Sequence, residues 1–178
     1  MAQAQLLYIG TTEGVVIASN PGRTDRWITV GISLPAEAIV GLICDTDGPM
    51  NATVWSSSAA WTTDDGGQTW HPVTEPTSSP APRSALVFAG SPSAALRISG
   101  DGVTVERSAD AGELWQTLEL DSVGPWTVMA APGYHPDTAY LGSADGAVWQ
   151  TTDRGRTWQR IKRDLASVTA LALGRVLS

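Results

Sequence analysis

Four tryptophans, Trp27, Trp70, Trp115 and Trp158, stand at intervals of 43, 45 and 43 residues. Three residues after each comes an aliphatic side chain: Val30, Val73, Leu118 and Ile161. Three of the tryptophans close nearly identical segments. These are Thr63-Asp64-Asp65-Gly66-Gly67-Gln68-Thr69-Trp70, Ser108-Ala109-Asp110-Ala111-Gly112-Glu113-Leu114-Trp115 and Thr151-Thr152-Asp153-Arg154-Gly155-Arg156-Thr157-Trp158. Each reads Ser/Thr-x-Asp-x-Gly-x-x-Trp. A degenerate fourth copy, Ser19 to Trp27, lacks the Asp-x-Gly pair. A period of this length marks a repeated supersecondary unit that buries its apolar face only against its neighbours.

The spacing has a physical reason. An Asp in a tight turn accepts hydrogen bonds from nearby backbone N–H groups, replacing partners that the turn removes. Gly two positions later takes a positive φ without a Cβ clash. The Trp then folds back over the turn and buries a broad apolar face. Between the turns lie short apolar runs, with 18 Gly and 11 Pro spread along the chain and only 16% charged residues. No stretch of ten residues shows a helical period, so the chain reads as all-β.

The repeated segments resemble the Asp-box family, whose four-stranded blades imply four strands for each repeat. Innermost strands are predicted near 36–44, 83–89, 126–131 and 168–173, and second strands near 6–9, 53–56, 95–99 and 139–142. Third strands run into each repeated segment, and outermost strands follow each tryptophan. Residues 1–178 therefore read as one repeat domain with blades split near 6–44, 45–89, 90–131 and 132–173. The chain opens on a second strand and ends on an innermost one, and these are each other's missing neighbours. Left unpaired they are aggregation-prone edges. Pairing within the chain closes four blades; exchange between two copies gives an eight-bladed ring. Four blades is the lower limit for a propeller, so the expectation leans to the two-chain ring and a homodimer.

The three segments resemble the Asp-box, or BNR, repeat of sialidases, sortilin-type receptors, xyloglucan-degrading enzymes and photosystem-assembly propellers. The resemblance implies a β-propeller of about four four-stranded antiparallel blades per chain. It places the box between third and fourth strands, away from the functional face. It gives a structural role to Asp65, Gly67, Trp70, Asp110, Gly112, Trp115, Asp153, Gly155 and Trp158. The box identifies local architecture and does not name a function.

The formal charge of −7 and pI near 4.6 disfavour a nucleic-acid partner. No apolar run reaches the length of a membrane span. The N-terminal residues lack the basic start of a secretory signal, which points to the cytoplasm. Cys44 is alone, so no disulfide framework or cysteine metal site is expected. A sialidase needs an arginine cluster, a Tyr nucleophile and an acidic donor. Tyr8 and Tyr140 instead occupy matching strand positions, as core residues would. Arg83, Arg97 and Arg175 fall at unmatched ones. His71 and His135 lie in separate repeats, and Asp45-Thr46-Asp47-Gly48 reads as a plain turn rather than a calcium loop. Hence no catalytic residues, metal or cofactor are expected.

The remaining candidates sit on loops opposite the boxes. Glu13, Asp101 and Asp145 recur in turns between second and third strands, where a cation or basic peptide can bind, although Asp-Gly is also ordinary turn chemistry. Trp55 and Trp126 lack repeat partners, so Trp126 joins the candidate face as a flat surface for a peptide or sugar. The connection 74–83 is rich in Pro and Ser, and long loops on rigid scaffolds carry binding. Arg154, Arg156, Arg160, Lys162 and Arg163 form a basic stretch that protects an edge or meets an acidic partner. Repeated aromatics fall in boxes and strands rather than loops. That favours a non-catalytic, protein-binding or scaffolding propeller over a carbohydrate-binding, lectin-like one or a glycosidase relative.

Overall fold

The computed structural model describes residues 4–22, 26–45, 48, 50–90 and 93–176. Residues 23–25 of the degenerate repeat, and Thr46 and Asp47 of the candidate calcium segment, lie outside the described residues.

Among the described residues, sixteen strands form four four-stranded antiparallel sheets, the meander from which β-propellers are built. The first sheet contains β1 (Ala4–Thr11), β2 (Gly14–Asn20), β3 (Ile28–Ser33) and β16 (Val168–Val176), in the order β16-β1-β2-β3. The second runs β4 (Ile39–Cys44), β5 (Ala52–Ser56), β6 (Ala60–Thr63), β7 (His71–Pro72). The third runs β8 (Ala85–Phe88), β9 (Ala94–Ile98), β10 (Val105–Ser108), β11 (Gln116–Leu118). The fourth runs β12 (Trp126–Ala130), β13 (Ala139–Ser143), β14 (Val148–Thr151), β15 (Gln159–Lys162). Each sheet is in sequence order except the first, whose leading strand is the last of the chain. β16 thus meets β1 in the same chain, and a second copy is not needed to cover either edge. The two-chain exchange favoured on sequence grounds is not the pairing observed.

The chain divides into two compact units. One holds residues through Ala81 together with those from Thr169 onward; the other holds Pro82–Val168. Each unit has its own core. In the first, Tyr8, Ile17, Ile39, Leu42 and Val54 pack together with Ala170 and Ala172. In the second, Leu86, Phe88, Leu96, Trp126, Met129, Leu141 and Trp149 do so. Central strands such as β13, whose five residues Ala-Tyr-Leu-Gly-Ser are all buried, carry no charged residue.

At the far end of each third strand, the repeated turn is held by more than its aspartate. Thr63, Ser108 and Thr151 are each about fully buried, and each hydroxyl donates to the turn Asp at 2.8, 2.6 and 2.8 Å. The same hydroxyls accept the N–H of Gly67, Gly112 and Gly155 at 3.0, 2.8 and 3.0 Å. Those glycines have φ of +87°, +97° and +80°. The positive φ favours glycine at these positions, and a Cβ at Gly67 or Gly155 would also push on the side-chain ends of Ile17 (2.1 Å) or Leu96 (2.9 Å). In the first sheet, Asn20 stands seven residues before Trp27, the place of these hydroxyls, and is buried as they are.

The turn tryptophans are less covered than a full cap would make them. Trp70, Trp115 and Trp158 are half-buried, whereas Trp27 of the degenerate copy is buried. The indole N–H groups of Trp115 and Trp158 donate to Gly112 O and Gly155 O at 3.0 and 3.2 Å. That bond lays each ring along its own turn, with one side left toward solvent.

Replacing Thr151 by Val keeps its shape but leaves the buried Gly155 N–H without an acceptor. Such a loss costs about 1–3 kcal/mol, and Thr151→Ser, which keeps the hydroxyl, should lose much less. Denaturant unfolding of both variants checks this; equal stability of Thr151→Val and wild type would contradict it.

Candidate functional site

A second kind of turn joins the second and third strands of each sheet, again led by a hydroxyl. Thr11, Ser56, Ser99 and Ser143 occupy this place at spacings of 45, 43 and 44 residues. Thr11 Oγ1 donates to Gly14 O at 2.9 Å and accepts the Glu13 N–H at 3.1 Å. Ser56 Oγ accepts the N–H groups of Ser58 and Ala59, both at 3.2 Å. Ser99 Oγ accepts from Thr104 N at 2.9 Å, and Ser143 Oγ from Ala147 N at 3.3 Å. Sequence reasoning picked out the carboxylates here and missed these hydroxyls, although their regular spacing was the available signal.

In the second unit the turns interlock with the connections between sheets. Trp126 N donates to Gly102 O at 2.7 Å, Ala144 N to Pro125 O at 2.8 Å, and Leu165 N to Gly146 O at 3.2 Å. The result is a hydrogen-bonded rim made of residues 99–104, 122–126 and 143–147. Asp101 Oδ1 accepts the Ser99 hydroxyl at 2.6 Å and the Val103 N–H at 3.0 Å. Those bonds hold its carboxyl below the usual carboxylate range. Asp145 bonds the Ser143 hydroxyl through one oxygen and accepts the Val123 N–H through the other at 3.1 Å. Partial burial pushes its pKa up, but these bonds outweigh it and the carboxyl stays below the usual range. Both side chains are therefore engaged in organising the rim. Beside them, Val103 and Val123 are 64% and 95% exposed. Neither was singled out from the sequence, because an isolated Val in a turn carries no periodic signal.

Glu13 lies on the corresponding turn of the first unit, exposed, with its carbonyl accepting Ala36 N–H at 3.3 Å. Trp126 is not a flat exposed surface. It is 7% exposed, packed edge-to-face on Trp149 with ring centroids 6.5 Å apart. It pairs with Ser143 as Ile39 pairs with Ser56, so it occupies a core position of the repeat.

Two tyrosines, the cysteine and several arginines are engaged in the fold. Tyr8 and Tyr140 are fully buried, and burial raises both phenols well above their ordinary pKa, which opposes a nucleophilic role. Burial, helped by Asp45, pushes the Cys44 thiol up to about 11. Arg97 bonds Glu106 at 2.5 Å and stacks over Trp115 at 4.1 Å. Arg154 reaches Asp137 at 3.7 Å, Arg160 lies over Trp149 at 5.6 Å, and Arg163 pairs with Asp164 at 3.5 Å. Among the described residues no three His, Cys, Asp or Glu side chains come together in a metal-binding group. Among the described residues no helix is long and apolar enough to cross a membrane.

The turn aspartates form the other set of candidate residues. Asp65 Oδ1 accepts the N–H groups of Gln68 and Thr69 at 2.9 Å each, and Oδ2 accepts the Thr69 hydroxyl at 2.6 Å. Asp153 makes the same set with Arg156 and Thr157. Asp110 has Leu114 where the others have Thr, so it keeps the amide bond at 2.9 Å and has no hydroxyl there. The Thr69 bonds lead in depressing Asp65, the Leu114 amide leads for Asp110, and for Asp153 the bonds outweigh an opposing burial.

No protein-family model matches the chain. The chain is 23% identical over 180 residues to photosystem II stability/assembly factor HCF136, chloroplastic, of Arabidopsis thaliana, across 94% of this chain and 44% of that protein. It thus spans less than half the length of the curated relative it matches. Among solved structures it is similar to YCF48 bound to D1 peptide, with 23% identity over 74% of this chain and 42% of that one, TM-score 0.34. It is also similar to the GH74 enzyme of Niastella koreensis, with 13% identity over 90% and 24%, TM-score 0.36.

Because the turn carboxyls titrate lower in the folded chain than when unfolded, their stabilisation is complete above the unfolded carboxylate pKa of about 3.9 and is lost as pH falls toward the folded values. Unfolding measured from pH 7 to pH 2 should be level near neutrality and fall below about pH 4. The Asp65→Asn, Asp153→Asn double variant should fall less steeply. An acid limb unchanged in that variant would contradict the assignment.

Proposed function

We propose that this chain is a non-catalytic, protein-binding β-propeller segment, built on Asp-box repeats, that engages its partner through the loop rim. The observation that carries the reading is the pairing of Val103 and Val123, strongly exposed, with a rim fixed by hydrogen bonds. An apolar group on a pre-organised loop loses little entropy on association and suits a protein surface. The engaged carboxylates of Asp101 and Asp145 favour this reading over a ring of free charges for a cation. The sequence relative's name, an assembly factor, accords with it. The buried tyrosines disfavour a sialidase-like alternative.

The test is quantitative affinity capture from extract of the source organism, comparing wild type, Val103→Ser with Val123→Ser, and Val87→Ser as a control on β8. Proteins captured by wild type and control should fall at least tenfold with the rim variant. Capture indifferent to the rim, saturable binding on a glycan array, or turnover of fluorogenic glycosides would each sink the proposal. With β16 paired to β1 inside the chain, light scattering should give a mass near 18.7 kDa at micromolar concentration, and twice that would restore the two-chain ring.

A further inference from the structure

One repeat position is occupied differently in the second sheet. The second-strand residue just before the rim hydroxyl is Gly10 in the first sheet, Ile98 in the third and Gly142 in the fourth, but the far larger Trp55 in the second. Neighbours fill the space at the glycines. A Cβ on Gly10 would lie 2.7 Å from Ile39 Cγ2, and one on Gly142 2.5 Å from Val168 Cγ1. In the second sheet the arrangement is inverted: Trp55 pairs with Gly41, which offers bare backbone on β4. The connection 74–81 lies on this pair. Thr77 O accepts the Trp55 indole N–H at 2.7 Å. A Cβ on Gly41 would be 2.0 Å from Ser79 Oγ and 3.0 Å from Pro80 Cδ. Trp55 is 7% exposed, while residues 74–78 remain exposed themselves.

The segment joins no sheet, and Pro76, Pro80 and Pro82 deny it ladder donors and favour an extended form. Its anchors are an indole N–H on a backbone carbonyl, and Ser79 and Pro80 laid against the bare backbone of Gly41, the residue paired with Trp55. Aromatic grooves hold proline-rich peptides in such an extended form. We propose that Trp55 and Gly41 form a recognition groove for an extended Ser/Thr-Pro-rich peptide, which the chain occupies with its own residues 74–81. A partner's segment of the same chemistry displaces this internal ligand. The groove belongs to the first unit and the Val103/Val123 rim to the second, and the proposal stands whether or not the rim binds protein. A tethered ligand competes at an effective concentration of about a millimolar, so the free chain binds such peptides weakly.

The test replaces residues 74–81 in the full chain with an eight-residue Gly/Ser linker. 5-Fluorotryptophan labelling reports on Trp55, its resonance assigned with Trp55→Phe. Titration with the peptide Thr-Glu-Pro-Thr-Ser-Ser-Pro-Ala should shift that resonance saturably, at least tenfold tighter than in wild type. Exchanging both prolines of the peptide for Ala should abolish the shift. Gly41→Ala in the otherwise wild-type chain should speed hydrogen exchange of the Trp55 indole N–H, which is bonded to Thr77 O, at least tenfold and leave β4 to β6 protected. A folded linker variant that ignores the peptide overturns the proposal, as does equal affinity in wild type. So does a sheet that unfolds with the linker or loses protection in Gly41→Ala, since the segment would then be part of the sheet's own fold.

Discussion

Burying a hydroxyl costs free energy unless protein groups replace the water it leaves. In this chain the buried hydroxyls of Thr63, Ser108 and Thr151 sit at the end of their strands, each between an Asp carboxylate and a glycine N–H. The bond to the hydroxyl fixes the carboxylate, and the fixed carboxylate gathers the amides of the residues that follow. Two successive left-handed residues then reverse the chain: Gly66 and Gly67, Ala111 and Gly112, Arg154 and Gly155. Short fourth strands, three residues in β11 and two in β7, depend on these turns because their own ladders are too brief to hold them.

The opposite turns use the same device for a different purpose. There the hydroxyl bonds stiffen a rim that carries exposed valines, and Asp101 and Asp145 are committed to holding it. The proposed binding accordingly rests on what the rigid turns present rather than on the polar groups that build them. The strap over Trp55 follows the same rule from another direction: an irregularity in the repeat is matched by the longest connection, laid across it.

Strand positions were legible in the sequence because the tryptophan spacing fixes one end of every third strand, and apolar runs fix the rest. The predicted second strand 139–142 is β13, Ala139–Ser143, to within a residue. The environment of Trp126 was not legible. Most of β12 is buried, so no polar alternation marks which of its residues reaches solvent. Its equivalence to Ile39 becomes clear only once both are seen to pair with a serine. Half-burial of Trp70, Trp115 and Trp158 was missed for a related reason: the motif requires the ring to lie on its turn but does not specify what covers the outer side. The role of Ser79 and Pro80 depends on a glycine distant in sequence, which no local pattern announces.

The claim on which the rest depends is that buried hydroxyls pin the repeated turns. Amide hydrogen exchange followed residue by residue tests it directly. The N–H groups of Gly67, Gly112 and Gly155 should exchange as slowly as ladder amides of the third strands beside them, despite lying in turns. Exchange of those three amides at the rates of exposed loop residues would contradict the account.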